Sequence, residues 1–491
     1  VERTMRFEIN NKNEIYDYCK DVCNKAKNMY NVANYYIRNT ATALTKEANN
    51  ISLTSNELEV ITTVREMIKE NNNKSSKRKD KEKTQLKIPD AKNKYLNYYQ
   101  LNAIFLCSNN YDYRVLPVHS SQKAIKTCCE MWKSYFKAKK DYIKHPHKYS
   151  GEPKIPKYRK NNLATVSFSN QSAIIVNDEN NNYLQLPSIK TYDEKGNLVQ
   201  QDKVKYNLGK LEINNLIKVE IKPFHNIFYL LITIKDNDIK DIYNDENFKT
   251  KNIMSIDLGI QNFATITDNV GNNPIIIKGG FLKSRNQYFN KYKAIETSRI
   301  KNIYNSSIKL DLLSLKRNRF LRDCFFKIAH KICKTAKERN VNQIVIGHNT
   351  KWKESSNIGD KNNQNFVCIP FSQFISTLHT VALKYEIKVI ETEESYSSKA
   401  SFVDRDYIPT YKKGDNTKYK FSGKRTKRGL YISKEGIVLN ADVNGSLNIL
   451  RKYCGDEICK DITDYNKLNH IIVLNYKDFY PQYKSKIKTN I

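Results

Sequence analysis

Carboxylates at three separated places in this 491-residue chain stand where a divalent cation could use them. The stretch N-I-M-S-I-D-L-G-I-Q-N-F-A-T (252–265) reads as a buried strand, a tight turn at Gly259 and an antiparallel second strand, with Asp257 near the end of the first. An acid in a sheet core is costly unless something pairs with it, and a metal ion is one such partner. Hydrogen bonding into the turn is the other reading of an isolated Asp-Leu-Gly. Glu391, Glu393 and Glu394 follow a short Val389-Ile390 strand, and Asp442 opens the helical run N-A-D-V-N-G-S-L-N-I-L-R-K. Alternate strand residues face opposite ways, so Glu393 and Glu394 cannot both point at one site. An RNase-H-like nuclease needs carboxylates on its first strand, near a later strand end and on a final helix. Topology brings these to one sheet edge, where two Mg²⁺ ions (or Mn²⁺) about 4 Å apart would activate water for in-line attack on phosphate.

The elements that must position these acids follow from hydrophobic periodicity. Arg3–Ile9 alternates as a strand, and Glu14–Arg38 carries apolar residues at helical spacing. Glu70–Lys94 is polar and basic and reads as a solvated loop or arm. Ser121–Tyr142 is an amphipathic helix with Ile125, Cys128, Trp132 and Phe136 on one side and Lys137 and Lys140 among its outer cations. The proline-rich stretch His145–Asn162 must be extended; Lys154, Lys157 and Arg159, interleaved with Tyr149 and Tyr158, suit a nucleic-acid backbone with stacking. Thr165–Lys235 turns to period two, which suggests a small β-barrel. Past a polar boundary at Asp236–Lys251, three strands precede a long helical region, Ser284–Arg339, basic around Lys316, Arg317 and Arg319. Strand Gln343–Gly347, helix Ser372–Tyr385, strand Lys388–Ile390 and the Asp442 helix complete an RNase-H-like order.

Bulk composition points to the partner class. The chain is 39% hydrophobic with a net charge of +33, so it folds and most readily meets a polyanion. The cations are spread over the whole length, which favours nucleic acid over a membrane surface. No apolar run approaches the roughly 20 residues of a membrane span, and no signal peptide is evident; an intracellular, soluble protein is expected. None of the ten cysteines forms a Cys-x-x-Cys pair, so reduced thiols and no structural zinc are expected.

The stretches D-L-G-I-Q-N-F-A-T, E-E-S-Y-S-S-K-A-S and N-A-D-V-N-G-S-L-N-I resemble the three RuvC motifs of the TnpB transposon-associated nucleases and their Fanzor relatives. A-K-N-M-Y-N-V-A-N-Y and K-I-P-K-Y extend the resemblance to the N-terminal half. It implies a multidomain α+β chain: a wedge-like β-barrel (1–12 and 163–240), an inserted helical recognition domain (13–162), an RNase-H-like (RuvC) α/β domain (250–453) and a C-terminal tail (454–491). It also implies an RNA-guided DNA endonuclease with a structured guide RNA (omega-RNA type) and double-stranded DNA as partners, cutting beside a short flanking motif.

Two departures stand out. Many TnpB proteins place the middle glutamate on the strand after the basic helix, where this chain has I-V-I-G-H-N and therefore Gly347. Fanzor proteins use a glutamate just before the Tyr/Thr-Ser segment, which Glu394 matches best and Glu393 second; the implied metal and catalytic set is Asp257, Glu394 and Asp442. In place of a four-cysteine finger, residues 400–438 form a basic insert, in which Lys420, Lys424, Arg425, Lys427 and Arg428 are expected phosphate contacts together with nearby Lys399. A guided DNA-binding protein that has lost cleavage and, less favoured, a DNA-joining transposase are the competing readings.

Overall fold

The computed structural model describes residues 1–76, 85–160, 162–192, 198–199, 203–237, 239–250, 252–301, 306–348, 369–411, 417–427 and 429–481. They divide into two units, Val1–Asp236 and Asn237–Ile491.

In the first unit, strand β1 (Glu2–Ile9) leads into helix α1 (Tyr16–Ala48). That helix buries Val22, Ala26, Met29, Ala33 and Ile37 along one face, and it runs past Arg38 because Ala41 and Leu44 continue the same stripe. Helix α2 (Ser55–Ser76) enters the polar stretch that reads as a loop in sequence; its Asn72 side chain exchanges two 2.9 Å hydrogen bonds with the backbone of Leu86 and ties the returning chain to the helix. Helices α3 (Tyr98–Cys107) and α4 (Val118–Lys144) follow. The prolines then keep 149–160 free of regular structure, and Asn31 and Asn34 of α1 hold it by hydrogen bonds to Arg159 and Pro156.

The chain next forms strands β2 (Val166–Ser169), β3 (Ile174–Asn177), β4 (Asn182–Leu186), β5 (Val204–Gly209), β6 (Leu216–Phe224) and β7 (Ile227–Lys235). The helices thus lie, in sequence, between two strands of one sheet, of order β1-β7-β6-β2. The expected barrel does not form: among the described residues β1 and β2 are opposite edges, and β3-β4-β5 is a separate sheet. The two sheets share one apolar core with the start of α1, through Leu184, Leu208, Ile221, Ile232 and Val22. A helix closes this core where a barrel would need a ring of ladder bonds.

The second unit is built on a six-stranded sheet. Strands β8 (Asn252–Leu258), β9 (Asn262–Asp268) and β10 (Ile275–Lys278) form an antiparallel meander, while β11 (Val341–Gly347) and β12 (Lys388–Thr392) run parallel to β8. Alternation along β8 sends Met254, Ile256 and Leu258 to one face. There they meet helix α6 (Ile308–Glu338), helix α7 (Phe371–Leu383) and a cluster in which Phe263 touches Phe325, Phe371 and Phe374. The basic helical region is two helices, α5 (Gly280–Ile300) and α6, the second capped by Ser307. Ile253 and Val345 face the other way and pack on helix α8 (Ala441–Cys454) through Val443, Leu447 and Leu450.

Two segments carry more structure than their sequences suggest. The basic insert contains a three-stranded sheet of β13 (Lys424–Lys427), β14 (Leu430–Ile432) and β15 (Val438–Asn440). The C-terminal segment is not a free tail: β16 (Ile472–Leu474) pairs in parallel with β10 at the sheet edge, and Phe479 and Tyr480 join the main core. Among the described residues no helix is long and apolar enough to cross a membrane.

Candidate active site

Asp257 lies on the same face of β8 as Ser255 and opposite Thr265 of β9, under helix α8. A buried triangle of hydroxyls fixes that helix to the sheet: Ser255 to Thr267 at 2.8 Å, Thr267 to Ser446 at 3.0 Å and Ser255 to Ser446 at 3.1 Å. Ser446 also donates to the carbonyl of Thr265 at 3.1 Å. Gly445 permits the close approach, since a Cβ there would stand 2.8 Å from Oδ2 of Asp257. The geometry that brings the helix down is therefore specified by small residues beside the acid.

Asp442 occupies the first turn of the same helix, where backbone N–H groups favour an anion. Asn440 caps that turn by accepting from the backbone of Asp442 at 3.0 Å and of Val443 at 3.2 Å. Asn262 donates to Oδ2 of Asp442 at 2.6 Å and accepts from Lys278 Nζ at 2.9 Å. The Arg425 guanidinium stands 3.4 Å from Oδ1.

The three glutamates at the end of β12 and just beyond it separate completely. Glu391 is exposed and contacts His348 at 2.7 Å. Glu393 is paired with Lys452 and accepts from the backbone of Ser395 at 2.7 Å. Burial alone would raise its carboxyl, but the Lys452 and Ser395 hydrogen bonds outweigh that and hold it below its ordinary range. Glu394 turns inward over Gly347, where a Cβ would stand 2.7 Å from its Oε2. Burial, then the Glu393 charge, push the Glu394 carboxyl up to about 7. Asp257 is pushed well above its ordinary range by burial first and then by the charges of Glu394 and Asp442, against a smaller opposing effect of Arg425.

The last helix also positions the segment that follows Glu394. Asn444 and Asn448, one turn apart and fully buried, donate to the carbonyls of Ala400 and Ser397, and Phe402 N–H donates back to Asn444. Arg451 continues this face, donating to Asn448 at 3.0 Å and to the Asp406 carbonyl at 3.0 Å.

A cleft of about 720 Å³ opens over the site, lined by Asp257, Asn262, Lys278, Ser398, Arg425 and Asp442. Among the described residues no three acid, histidine or cysteine side chains stand close enough together to hold a metal ion as they are placed. In chemistry the donor set still suits a hard cation: it is all carboxylate oxygen, and Asp257 sits in the field of two further acids that Arg425 offsets only in part and a divalent ion would relieve.

Of the cations singled out in sequence, Lys137, Lys140, Lys154, Lys157, Lys316, Arg319, Lys399, Lys424, Arg425 and Lys427 are exposed, and Lys420 likewise. Arg159 stacks over the Tyr30 ring at 4.6 Å, and Arg317 donates to Asn286 at 2.6 Å and covers Phe289, so both have structural roles. Arg428 lies outside the described residues. Sequence reasoning gives no role to Asn262, Lys278, Gly445, Asn444, Asn448 or Lys452. The recurrence of Asn444, Asn448 and Arg451 at helical spacing is the available signal for a polar buried face.

Comparison with known proteins gives two family matches, the first beginning at the end of the first unit and both otherwise in the second. Residues 233–353, which include Asp257 and Gly347, match OrfB_IS605, "Probable transposase". Residues 371–449, which include Glu394 and Asp442, match "Cas12f1-like, TNB domain". A curated relative, the TnpB-like protein ORF457 of Acidianus two-tailed virus, is 28% identical over 239 residues, 45% of this chain and 47% of that protein. The match thus spans about half of the relative's length. Among solved structures, a Cas12f1-sgRNA-target DNA complex aligns at a TM-score of 0.43 and 13% identity over 91% of this chain and 98% of that one. Alicyclobacillus acidoterrestris C2c1 in complex with single-guide RNA aligns at 0.32 and 9% identity over 90% and 70%. The two family matches, in this order along the chain, and the viral protein together make the chain similar to TnpB-like proteins.

Proposed function

We propose that this chain is an RNA-guided DNA endonuclease of RNase-H-like (RuvC) type, with Asp257, Glu394 and Asp442 as the acids that hold two Mg²⁺ ions, or Mn²⁺. The observation that carries the reading is the convergence of acids from the first strand, from beyond the β12 strand and from the last helix, whose charges add to burial in raising the Asp257 carboxyl. The meander followed by parallel strands supports the fold assignment. The net charge of +33 and the TnpB-like and Cas12f1-like matches support guide RNA and target DNA as partners.

Bound metal would supply water activation and charge stabilisation at the scissile phosphate. The chain's own residues do the rest. Asn262 orients Asp442, and Lys278 and Arg425 line the cleft wall as cations for a phosphate backbone. Glu394 can take up or release a proton near neutral pH. Lys452 holds Glu393 out of the site. The test is guide-loaded cleavage of target DNA in Mg²⁺, wild type against Asp257→Ala. Cutting by wild type and none by the variant supports the reading. If both bind target and neither cuts, the chain is a guided binding protein instead.

A further inference from the structure

A groove of about 490 Å³ in the first unit, built only from helical-region residues, is lined by aromatic rings and cations with no carboxylate among its walls. Trp132 of α4 forms part of the floor: it is only 5% exposed, and its indole N–H is already committed to Asn34 at 2.9 Å, so it offers only apolar surface. Tyr95, 40% exposed, leans on it with ring centroids 5.4 Å apart and on Phe136 at 4.7 Å, so its phenol ring is held in place while open to solvent. Tyr158 on the extended segment is 38% exposed and carries the Arg38 guanidinium 4.7 Å from its centroid. Lys94 is anchored by a 2.8 Å hydrogen bond to Thr45, Lys46 is neutralised by Glu57 at 2.8 Å, and Arg38 donates to the Pro156 carbonyl, so Arg38 and Lys94 are the cations of the groove wall without a carboxylate partner among the described residues.

Two exposed, immobilised rings beside two cations match an unpaired nucleotide: the base stacks on a phenol while the phosphate meets the cations. The volume is within the range of about 300–1,000 Å³ typical of small-ligand sites, enough for a nucleotide and too small for a duplex, whose base faces are in any case covered. Exposed Lys154 and Lys157 flank the groove on the segment that carries Tyr158, a track for the neighbouring phosphates. We propose that this groove is a stacking site for an unpaired nucleotide of a single-stranded nucleic acid. It requires a nucleic-acid partner but no cleavage, so it stands or falls apart from the endonuclease reading.

The test measures binding of the full chain, without guide or metal, to a labelled single-stranded RNA decamer, the matching DNA decamer and a duplex of the same length. A 2-aminopurine in each single strand reports stacking by quenching. Tyr95→Ala is expected to weaken single-strand binding about 5- to 100-fold and to abolish part of the quenching, with Tyr95→Phe retaining both. Lys94→Gln should lower the slope of log affinity against log salt by about 0.7, as loss of one phosphate contact does on single strands, while Tyr95→Ala leaves that slope unchanged. Duplex binding should not respond to Tyr95→Ala. The single strand bound more tightly identifies which strand the site serves. Unchanged single-strand affinity and quenching in both Tyr95→Ala and Tyr158→Ala, or an equal loss on duplex, overturns the proposal.

Discussion

The carboxylate of Glu394 fills the space that a side chain on Gly347 would need: a Cβ there would lie 2.7 Å from Glu394 Oε2, 3.1 Å from Glu394 Cβ and 2.5 Å from Ile449 Cδ1. One position is empty because another residue has taken its volume. Gly347→Ala should therefore displace Glu394, costing about 1–3 kcal/mol in denaturant unfolding and at least tenfold in cleavage. A Gly347→Glu/Glu394→Ala double variant, which returns an acid to the volume from the other strand, should cut better than either single variant. Equal activity in all three would mean that the shared volume does not matter.

The two adjacent glutamates should behave as different kinds of residue. Glu394→Gln is expected to lower cleavage by 100-fold or more, about 3 kcal/mol of barrier, with little loss of stability. Glu393→Gln should leave Lys452, a nearly buried ammonium, without its carboxylate and cost about 1–3 kcal/mol of stability, with a smaller effect on rate. Cleavage abolished only by Glu393→Gln would move the second acid to that residue.

The acids make stability depend on pH in a defined direction. Glu394 titrates at about 7 when folded against an ordinary 4.5, so the folded chain binds its proton more tightly than the unfolded chain. Its carboxyl costs nothing below about pH 4.5 and progressively more up to about pH 7, so stability falls as pH rises through that window. Asp257 acts in the same sense and Glu393 in the opposite one, which makes the difference between variants the useful measurement. Relative to wild type, Glu394→Gln should gain about 1–3 kcal/mol at pH 8 and nothing at pH 4. Mg²⁺ or Mn²⁺ should raise the wild-type Tm at pH 8, and chelation should reverse the gain. A Tm that rises between pH 5 and 8 without metal, unaltered by the variant, would contradict the geometry.

Asn262 bridges Lys278 and Asp442 and so sets the direction of one carboxylate oxygen. Asn262→Ala should weaken Mn²⁺ binding, measured calorimetrically, by about 10- to 100-fold while the fold persists, as loss of an outer partner of a metal ligand does. Unchanged Mn²⁺ affinity would leave Asn262 with a purely structural role at the start of β9.

Asn448→Ala removes donors to the carbonyls of Ser397 and Ala400 in a fully buried place. It should destabilise by about 1–3 kcal/mol and raise hydrogen exchange across 397–402 before it affects the β8 strand. Uniform exchange changes across the unit would show that the segment is not separately strapped.

Asp257 and Asp442 are visible in sequence because strand alternation and a helix start act locally, and each acid is within a few residues of the signal that places it. The choice between Glu393 and Glu394 is not: they are neighbours past a strand end, and what parts them is Lys452 on one side and the vacant volume at Gly347 on the other. Both partners arrive from elements remote in sequence. The barrel fails for a related reason. Period-two runs announce strands, but closure depends on which edges meet, and here a helix and a second sheet cover the core instead. Ile472–Leu474 reads as tail because the apolar run Ile471–Leu474 is too short to carry a pattern of its own; its strand character comes from the edge of β10.

That last pairing bears on how far the second unit could be trimmed. A chain cut after Cys454 would keep Asp257, Glu394 and Asp442 yet bare the edge formed by Ile275–Ile277, a short, wholly aliphatic template with open amide and carbonyl groups. Such an edge recruits other chains. A minimal version of this protein should therefore self-associate in expression as well as lose the core contacts of Phe479 and Tyr480, and the shortest useful form must retain the chain through Tyr480.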